Sequence, residues 1–183
     1  MSDQTIVGFV GNGVRKLVER SIVAAGGPQT LPLLDRALAT FLDHYREHLL
    51  DTTVLYPGVA KTVRALSEHG VVLSVATNKP EAMARAIVDG LGIADAFCEV
   101  LGGDSVPAHK PDPAIVHALA RRAGIAARDT LLVGDSPVDV ATARAAGVAV
   151  CAVTWGLTAA GALRAAAPDR LIDRPEELLQ LAT

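Results

Sequence analysis

Two carboxylates, Asp135 and Asp139, stand four residues apart immediately after the apolar run Leu131-Leu132-Val133-Gly134. Hard oxygen ligands at the end of a strand suit Mg²⁺, which accepts one or two protein carboxylates and fills its octahedron with water and phosphate oxygens. The alternative is that Asp135 simply caps the helix that follows. Thr77-Asn78-Lys79-Pro80 follows a second apolar run, residues 71–76. A hydroxyl with free backbone N–H groups at a helix start makes an anion site, or only a cap. Lys110 lies between His109 and Pro111-Asp112-Pro113, on a stiff loop ahead of a helix. There it could neutralise a phosphoryl group, although most lysines are solvated surface residues. Hydroxyl, lysine and carboxylate pair come in the order that phosphoryl transfer uses: donor, counter-charge, metal.

The elements that must position these residues can be read from periodicity. Val14, Leu17, Val18, Ser21, Ile22 and Ala25 predict an amphipathic helix over 13–25, with Asn12 as its cap. A second apolar stripe predicts a helix over 31–49. After Pro57-Gly58 the pattern changes to alternating elements. Helix 59–69 leads into a β-branched run, 71–76, of the kind that forms a fully buried parallel strand. Helix 80–90, a weak strand at 97–101, and helix 113–123 capped by Asp112 come next. Then come strand 130–133, helix 137–146 closed by Gly147, strand 148–153, a short strand at 170–172 and a terminal helix at 176–182. This order implies a doubly wound parallel sheet with its site at the strands' carboxyl ends. The boundary falls between a helical lobe, 1–55, and an α/β lobe, 56–183.

Composition narrows the chemistry. Of 183 residues 50% are hydrophobic and 3% aromatic, which suits helices layered on a buried sheet. Net charge is −3 and no Lys/Arg run exceeds two residues, so no footprint for nucleic acid is present. No apolar run approaches the roughly 18 residues needed to span a bilayer, which predicts no membrane insertion. Cys98 and Cys151 both sit in apolar stretches without a CxxC motif, and are expected to be buried thiols in a reducing, cytoplasmic setting. No feature bears on oligomeric state.

The three chemistry-bearing segments, Thr77-Asn-Lys-Pro80, His109-Lys-Pro-Asp-Pro113 and Val133-Gly-Asp-Ser-Pro-Val-Asp139 with Ala143-Arg-Ala-Ala-Gly147, resemble motifs two to four of the haloacid dehalogenase superfamily. Within it the match is to the phosphoglycolate phosphatase family. Supporting likeness extends over Val10-Gly-Asn-Gly13, Tyr45, Tyr56-Pro-Gly58, Gly102-Gly-Asp104 and Val153-Thr-Trp-Gly156. The resemblance implies a Mg²⁺-dependent hydrolase of a small phosphomonoester, 2-phosphoglycolate first among candidates. It implies that Thr77 hydrogen-bonds the phosphoryl group with Asn78 in support, that Lys110 offsets charge, and that Asp135 and Asp139 serve the metal. The helical lobe would be a cap that closes over the site and reads the substrate. Arg15 or Lys16, beside Gly11-Asn12-Gly13, would face a substrate carboxylate.

The family's nucleophile is the first Asp of an Asp-x-Asp-Gly-Thr motif, whose second Asp acts as acid and base. No such motif occurs here. Asp3 is the only early carboxylate, and it has neither a strand before it nor a second Asp at the right interval. The resemblance further implies that the absent strand is central, between those ending at Thr77 and at Asp135. Its loss would leave two sheet edges facing each other and a slot in the core. The expectation is a start lying a strand, a turn and a helix upstream, and a 183-residue chain that is inactive alone and prone to aggregate. The competing readings are a phosphate-binding regulatory remnant, or another capped sugar-phosphate phosphatase or phosphomutase.

Overall fold

The computed structural model describes residues 2–181, without the side chains of Asp3 and Gln4. Helices come first: α1 (Asp3–Val7), α2 (Val14–Ala24), α3 (Leu31–Glu47) and α4 (Val59–Glu68). α2 and α3 match their expected spans closely and pack on each other, with Val18 buried. Their apolar stripes are what bring them together. Asn12 does not cap α2. Gly13, at φ 85°, takes that position, and Asn12 Oδ1 instead accepts a 3.0 Å bond from Arg20 Nη2. The arginine of the next turns outcompetes the helix terminus for the side chain. α1 was not expected from periodicity; it makes the backbone at Asp3 helical rather than a strand end, while the Asp3 side chain lies outside the described residues.

From there strands and helices alternate: β1 (Ser74–Ala76), α5 (Glu81–Gly90), β2 (Glu99–Leu101), α6 (Ala114–Ala123), β3 (Leu131–Gly134), α7 (Pro137–Ala146), β4 (Ala149–Val153), α8 (Ala160–Ala165) and β5 (Arg170–Ile172). β1 is shorter than the apolar run 71–76, because only Ser74–Ala76 finds ladder partners in β2. α6 begins one residue later than expected, yet Asp112 still serves it: its Oδ1 accepts from Ala114 N at 2.9 Å. α8 carries no strong stripe and was missed, and the terminal helix is a 3₁₀ turn, Pro175–Gln180; the last residue of its expected span, 182, lies outside the described residues.

All ladders are parallel, but they form two sheets, β1-β2 and β3-β4-β5. The expected doubly wound sheet is therefore present in two pieces. β4 is central to the larger piece and shows why it holds. Val150 faces a core of Leu101, Ile115, Val116, Val140 and Ala143, built with α6 and α7. Its neighbours Cys151 and Val153 face the opposite layer, with Ile172, Trp155 and Leu178. That alternation is the period-two geometry of a strand covered on both faces.

One expectation is corrected. The run 71–76 reads as a fully buried strand, but Val72 is 51% exposed and Ser74–Ala76 are only half-buried, and in β3 Leu131 is 38% and Val133 40% exposed. The reason is the split: among the described residues β1 pairs only with β2 and β3 only with β4. Among the described residues no helix is long and apolar enough to cross a membrane.

The cysteines also divide. Cys151 is buried, and burial pushes its thiol up to about 11. Cys98 was expected to be buried too, but it is exposed, with its Sγ 3.2 Å from Ser74 Oγ. Its apolar neighbours are buried in its place as the chain enters β2. Because the thiolate is the reactive form, and a raised value keeps Cys151 protonated below about pH 11, iodoacetamide at pH 8 is expected to label Cys98 and spare Cys151 in the folded protein. Peptide mass spectrometry reads the result; equal labelling of both would contradict the burial.

Candidate active site

The turns after β1 and β3 open at the same end of the two sheets, and Lys110 joins them. Its Nζ donates to Ala76 O at 2.8 Å, at the end of β1, and to Asp139 Oδ1 at 2.7 Å, in the first turn of α7. The ion pair is well covered, its side chains 12% and 9% exposed. Asp139 is engaged on both oxygens, since Oδ2 accepts from Ser136 N at 3.1 Å and Ser136 Oγ at 2.6 Å. Ser136 in turn accepts from Asp139 N, so the pair forms a reciprocal capping box on α7. The cap is thus Ser136 with Asp139, and Asp135 is left free of it.

Asp135 accepts from Leu157 N through Oδ2 at 2.8 Å. Its other oxygen has no protein partner among the described residues and stays available. Two glycines create this packing. A Cβ on Gly134 would overlap the Asp139 carboxyl, and one on Gly156 would overlap Asp135. These positions accept no side chain because the carboxylates sit against the backbone.

Asn78 is the hub of the opposite wall. It is 8% exposed and exchanges bonds with the Lys110 backbone: Lys110 N donates to Oδ1 at 2.8 Å, and Nδ2 donates to Lys110 O at 3.0 Å. The same amide nitrogen reaches Gly11 O at 3.0 Å, tying the segment ahead of α2 to the loop. Thr77 Oγ1 accepts from Lys79 N at 3.1 Å, which turns the chain toward α5. Sequence reasoning gave Lys79, Tyr45 and Ser136 no role of their own. Lys79 reaches across to the Tyr45 hydroxyl and lies 4.2 Å from its ring centroid. Only the approach of α3 to this loop makes that pair, though both residues stand in the segments that carry the resemblance.

The structure thus brings Thr77, Asn78, Lys110, Asp135 and Asp139 to one end of the two sheets. Arg15 is elsewhere engaged: it is exposed on α2 and pairs with Asp35 of α3 at 3.0 Å. Lys16 pairs with Glu19 at 2.7 Å. Among the described residues no group of three or more His, Cys, Asp and Glu side chains is gathered for a metal. The donor set is the two carboxylates.

Parallel strands in a layered α/β fold, with a threonine, a lysine and a carboxylate pair converging beyond their carboxyl ends, define a class of domain that handles anionic small molecules. The comparisons agree. The family model for haloacid dehalogenase-like hydrolases matches residues 1–153. The phosphoglycolate phosphatase of Rhodospirillum rubrum is 42% identical over 160 residues, 85% of this chain and 66% of that protein. That of Pseudomonas putida is 39% identical over 175 residues, 93% of this chain and 63% of that protein. A crystal structure of a predicted phosphoglycolate phosphatase from Haemophilus somnus superposes with a TM-score of 0.92 at 32% identity, covering 100% of this chain and 83% of that one. The chain belongs to the haloacid dehalogenase-like hydrolase family. It spans about two thirds of the length of the curated relatives it matches, 66% and 63% for the two named.

Two stability effects follow from this packing. Lys110→Met removes one partner of a covered ion pair and leaves Asp139 without its counter-charge, which is expected to cost about 3 kcal/mol in urea unfolding. A cost below about 1 kcal/mol would mean that Ser136 alone satisfies Asp139. Gly134→Ala forces Asp139 off its bonds to Ser136 and is expected to lower stability by about 1–3 kcal/mol through overpacking. The Tm of an exposed control, Gly161→Ala, where a Cβ meets open space, should stay near wild type.

Proposed function

We propose that this chain carries the phosphate- and metal-handling part of a phosphomonoester hydrolase that acts on a small phosphorylated substrate, with 2-phosphoglycolate as the first candidate. The observation that carries the reading is Lys110, fixed between the β1 terminus and the carboxylate-bearing turn. A cation held there by two acceptors keeps its position without reorganising when negative charge arrives. Thr77 would donate its hydroxyl to the phosphoryl oxygens from the head of the α5 turn, and Asn78 would hold the Lys110 loop in register. The phosphatase names of the relatives support the substrate class.

Asp135 and Asp139 fit Mg²⁺, because that ion needs only one or two carboxylates and draws its remaining ligands from water and phosphate. Asp135, with one oxygen free, would ligate it. Asp139, saturated by Lys110 and Ser136, would orient the turn. When bound, the ion supplies charge stabilisation for the transferring phosphoryl group. The helical segment 1–55 would serve as a cap over the α/β segment 56–183, with Arg15 available to a substrate carboxylate only if it leaves Asp35. The two unpaired thiols, Cys98 and Cys151, fit a reducing, cytoplasmic setting.

In the family's route a carboxylate attacks phosphorus, the alcohol departs with a proton, and water then cleaves the aspartyl phosphate. No Asp-x-Asp-Gly-Thr motif among the 183 residues fills that role, so this chain is expected to bind phosphate and not to turn over. Isothermal titration with orthophosphate and Mg²⁺ is expected to give binding that Lys110→Ala weakens at least about tenfold, with no release of phosphate from 2-phosphoglycolate. Turnover by this chain that Asp135→Asn abolishes would sink the claim about the nucleophile. A version extended upstream by an in-frame Asp-x-Asp-Gly-Thr strand should hydrolyse the ester. If no such extension gives activity while phosphate binding persists, the regulatory reading takes over. Preference for a sugar phosphate in a substrate panel would redirect the assignment to another capped phosphatase or a mutase.

A further inference from the structure

The end of α3 carries two histidines four residues apart, His44 and His48, outside the site described above. Four residues is about one helical turn, so the two rings stand on the same face. His48 is the C-cap and keeps this register through its N–H, which donates to Tyr45 O at 3.2 Å. The ring centroids are 4.2 Å apart, with the planes inclined at 43°. Both rings are exposed. Two imidazoles one turn apart on a helix can each give a nitrogen to a single metal ion.

Asp51 decides which nitrogen His48 offers. Its Oδ2 lies 2.6 Å from His48 Nδ1, and an ionised carboxylate only accepts, so Nδ1 carries the proton and the lone pair of the neutral ring is on Nε2. A carboxylate behind an imidazole in this way fixes the tautomer and the ring orientation of a metal ligand. Asp51 thus stands behind His48 rather than beside the ion, so the cluster offers two donors and not three. His44 has no hydrogen-bond partner among the described residues, which leaves its nitrogens uncommitted. The charge nearby suits a cation. The free carbonyls at the C-terminal end of α3 carry the negative end of the helix dipole. Arg46 of the same turn is paired with Asp43 at 3.0 Å, while Glu47 and Asp51 add two negative charges to the segment.

We infer that His44 and His48 form a binding site for one divalent transition-metal ion of the kind that takes imidazole, Zn²⁺, Cu²⁺ or Ni²⁺, with Asp51 as the positioning residue. Imidazole nitrogens suit these ions, whereas Mg²⁺ prefers oxygen ligands. Water completes the coordination, because two protein ligands leave positions open and both rings face solvent. The bound ion fastens the last full turn of α3 to its C-cap. The chain's other three histidines, His69, His109 and His117, stand on separate elements, so no second pair has this spacing. The inference stands on the histidine pair and goes beyond the phosphatase reading, which it does not need.

The test uses the 183-residue protein with its exposed thiol, Cys98, alkylated and with excess Mg²⁺ present, so that thiolate and carboxylate sites do not compete. Isothermal titration with NiCl₂ is expected to show one ion bound per chain with micromolar affinity. His44→Ala and His48→Ala should each weaken it at least about tenfold, and His69→Ala should leave it unchanged. Asp51→Asn is expected to weaken binding about tenfold, and the ¹⁵N shifts of His48 should lose their bias toward the Nδ1–H tautomer in the same variant. Without any substitution, substoichiometric Cu²⁺ should broaden the NMR signals of His44 and His48 first. Binding that survives the double variant His44→Ala/His48→Ala, broadening centred on another residue, or no binding at millimolar Ni²⁺ would overturn the inference. So would an Asp51→Asn protein that binds as wild type. Loss of orthophosphate binding in Lys110→Ala leaves these results untouched, which keeps the two proposals separable.

Discussion

Lys110 is the clasp on which the arrangement depends. The two half-sheets share no ladder, yet the ammonium of Lys110 holds the last carbonyl of β1 and the carboxylate at the head of α7 at once. A covered ion pair of this kind is costly to break, because a single charge would remain in a covered site without its counter-charge. The same fact makes it specific: Lys110 reaches both acceptors only if β1 and β3 end at one level. Asn78 enforces this from the other side, exchanging two bonds with the Lys110 backbone and a third with Gly11. One lysine and one asparagine thus tie together the segment ahead of α2, the small sheet and the large sheet.

The same bonds shape what the site can do. With Asp139 spent on Lys110 and Ser136, the pair Asp135 and Asp139 divides into a carboxylate with a free oxygen and a carboxylate that positions. Glycine at 134 and at 156 is what lets both come so close to the backbone. In the proposed function an anion arriving between Thr77 and Asp135 would meet a cation already ordered by Ala76 and Asp139, so little reorganisation would be needed when charge develops.

The split of the sheet is the structure's chief departure from economy. Two unpaired parallel edges, a ≈ 900 Å³ slot and an orphaned Thr62 hydroxyl are tolerated because α6 and α7 bind the halves through a common core, where Leu101 of β2 and Val150 of β4 meet. Partial exposure of Leu131 and Val133 is the direct consequence.

Much of this was legible in the residues. Most of the order of strands and helices, and the family, followed from periodicity, turn residues and motifs, all of which are local. Asp135 and Asp139 stood four apart in the sequence, but which of them caps α7 depended on Ser136, whose hydroxyl competes for the same terminus. Asn12 was lost to Arg20, Cys98 proved exposed, and Arg15 was drawn to Asp35 on another helix. Each of these outcomes was set by a neighbour distant in sequence. The sequence alone determined most of the elements, though not α1 or α8, and which residue types reach the strand ends, since helix and strand patterns are written in nearest-neighbour spacing. Only the tertiary structure decided that Lys110 bridges the two halves, whose separation was already expected from the resemblance, because charge pairing depends on which elements end up side by side.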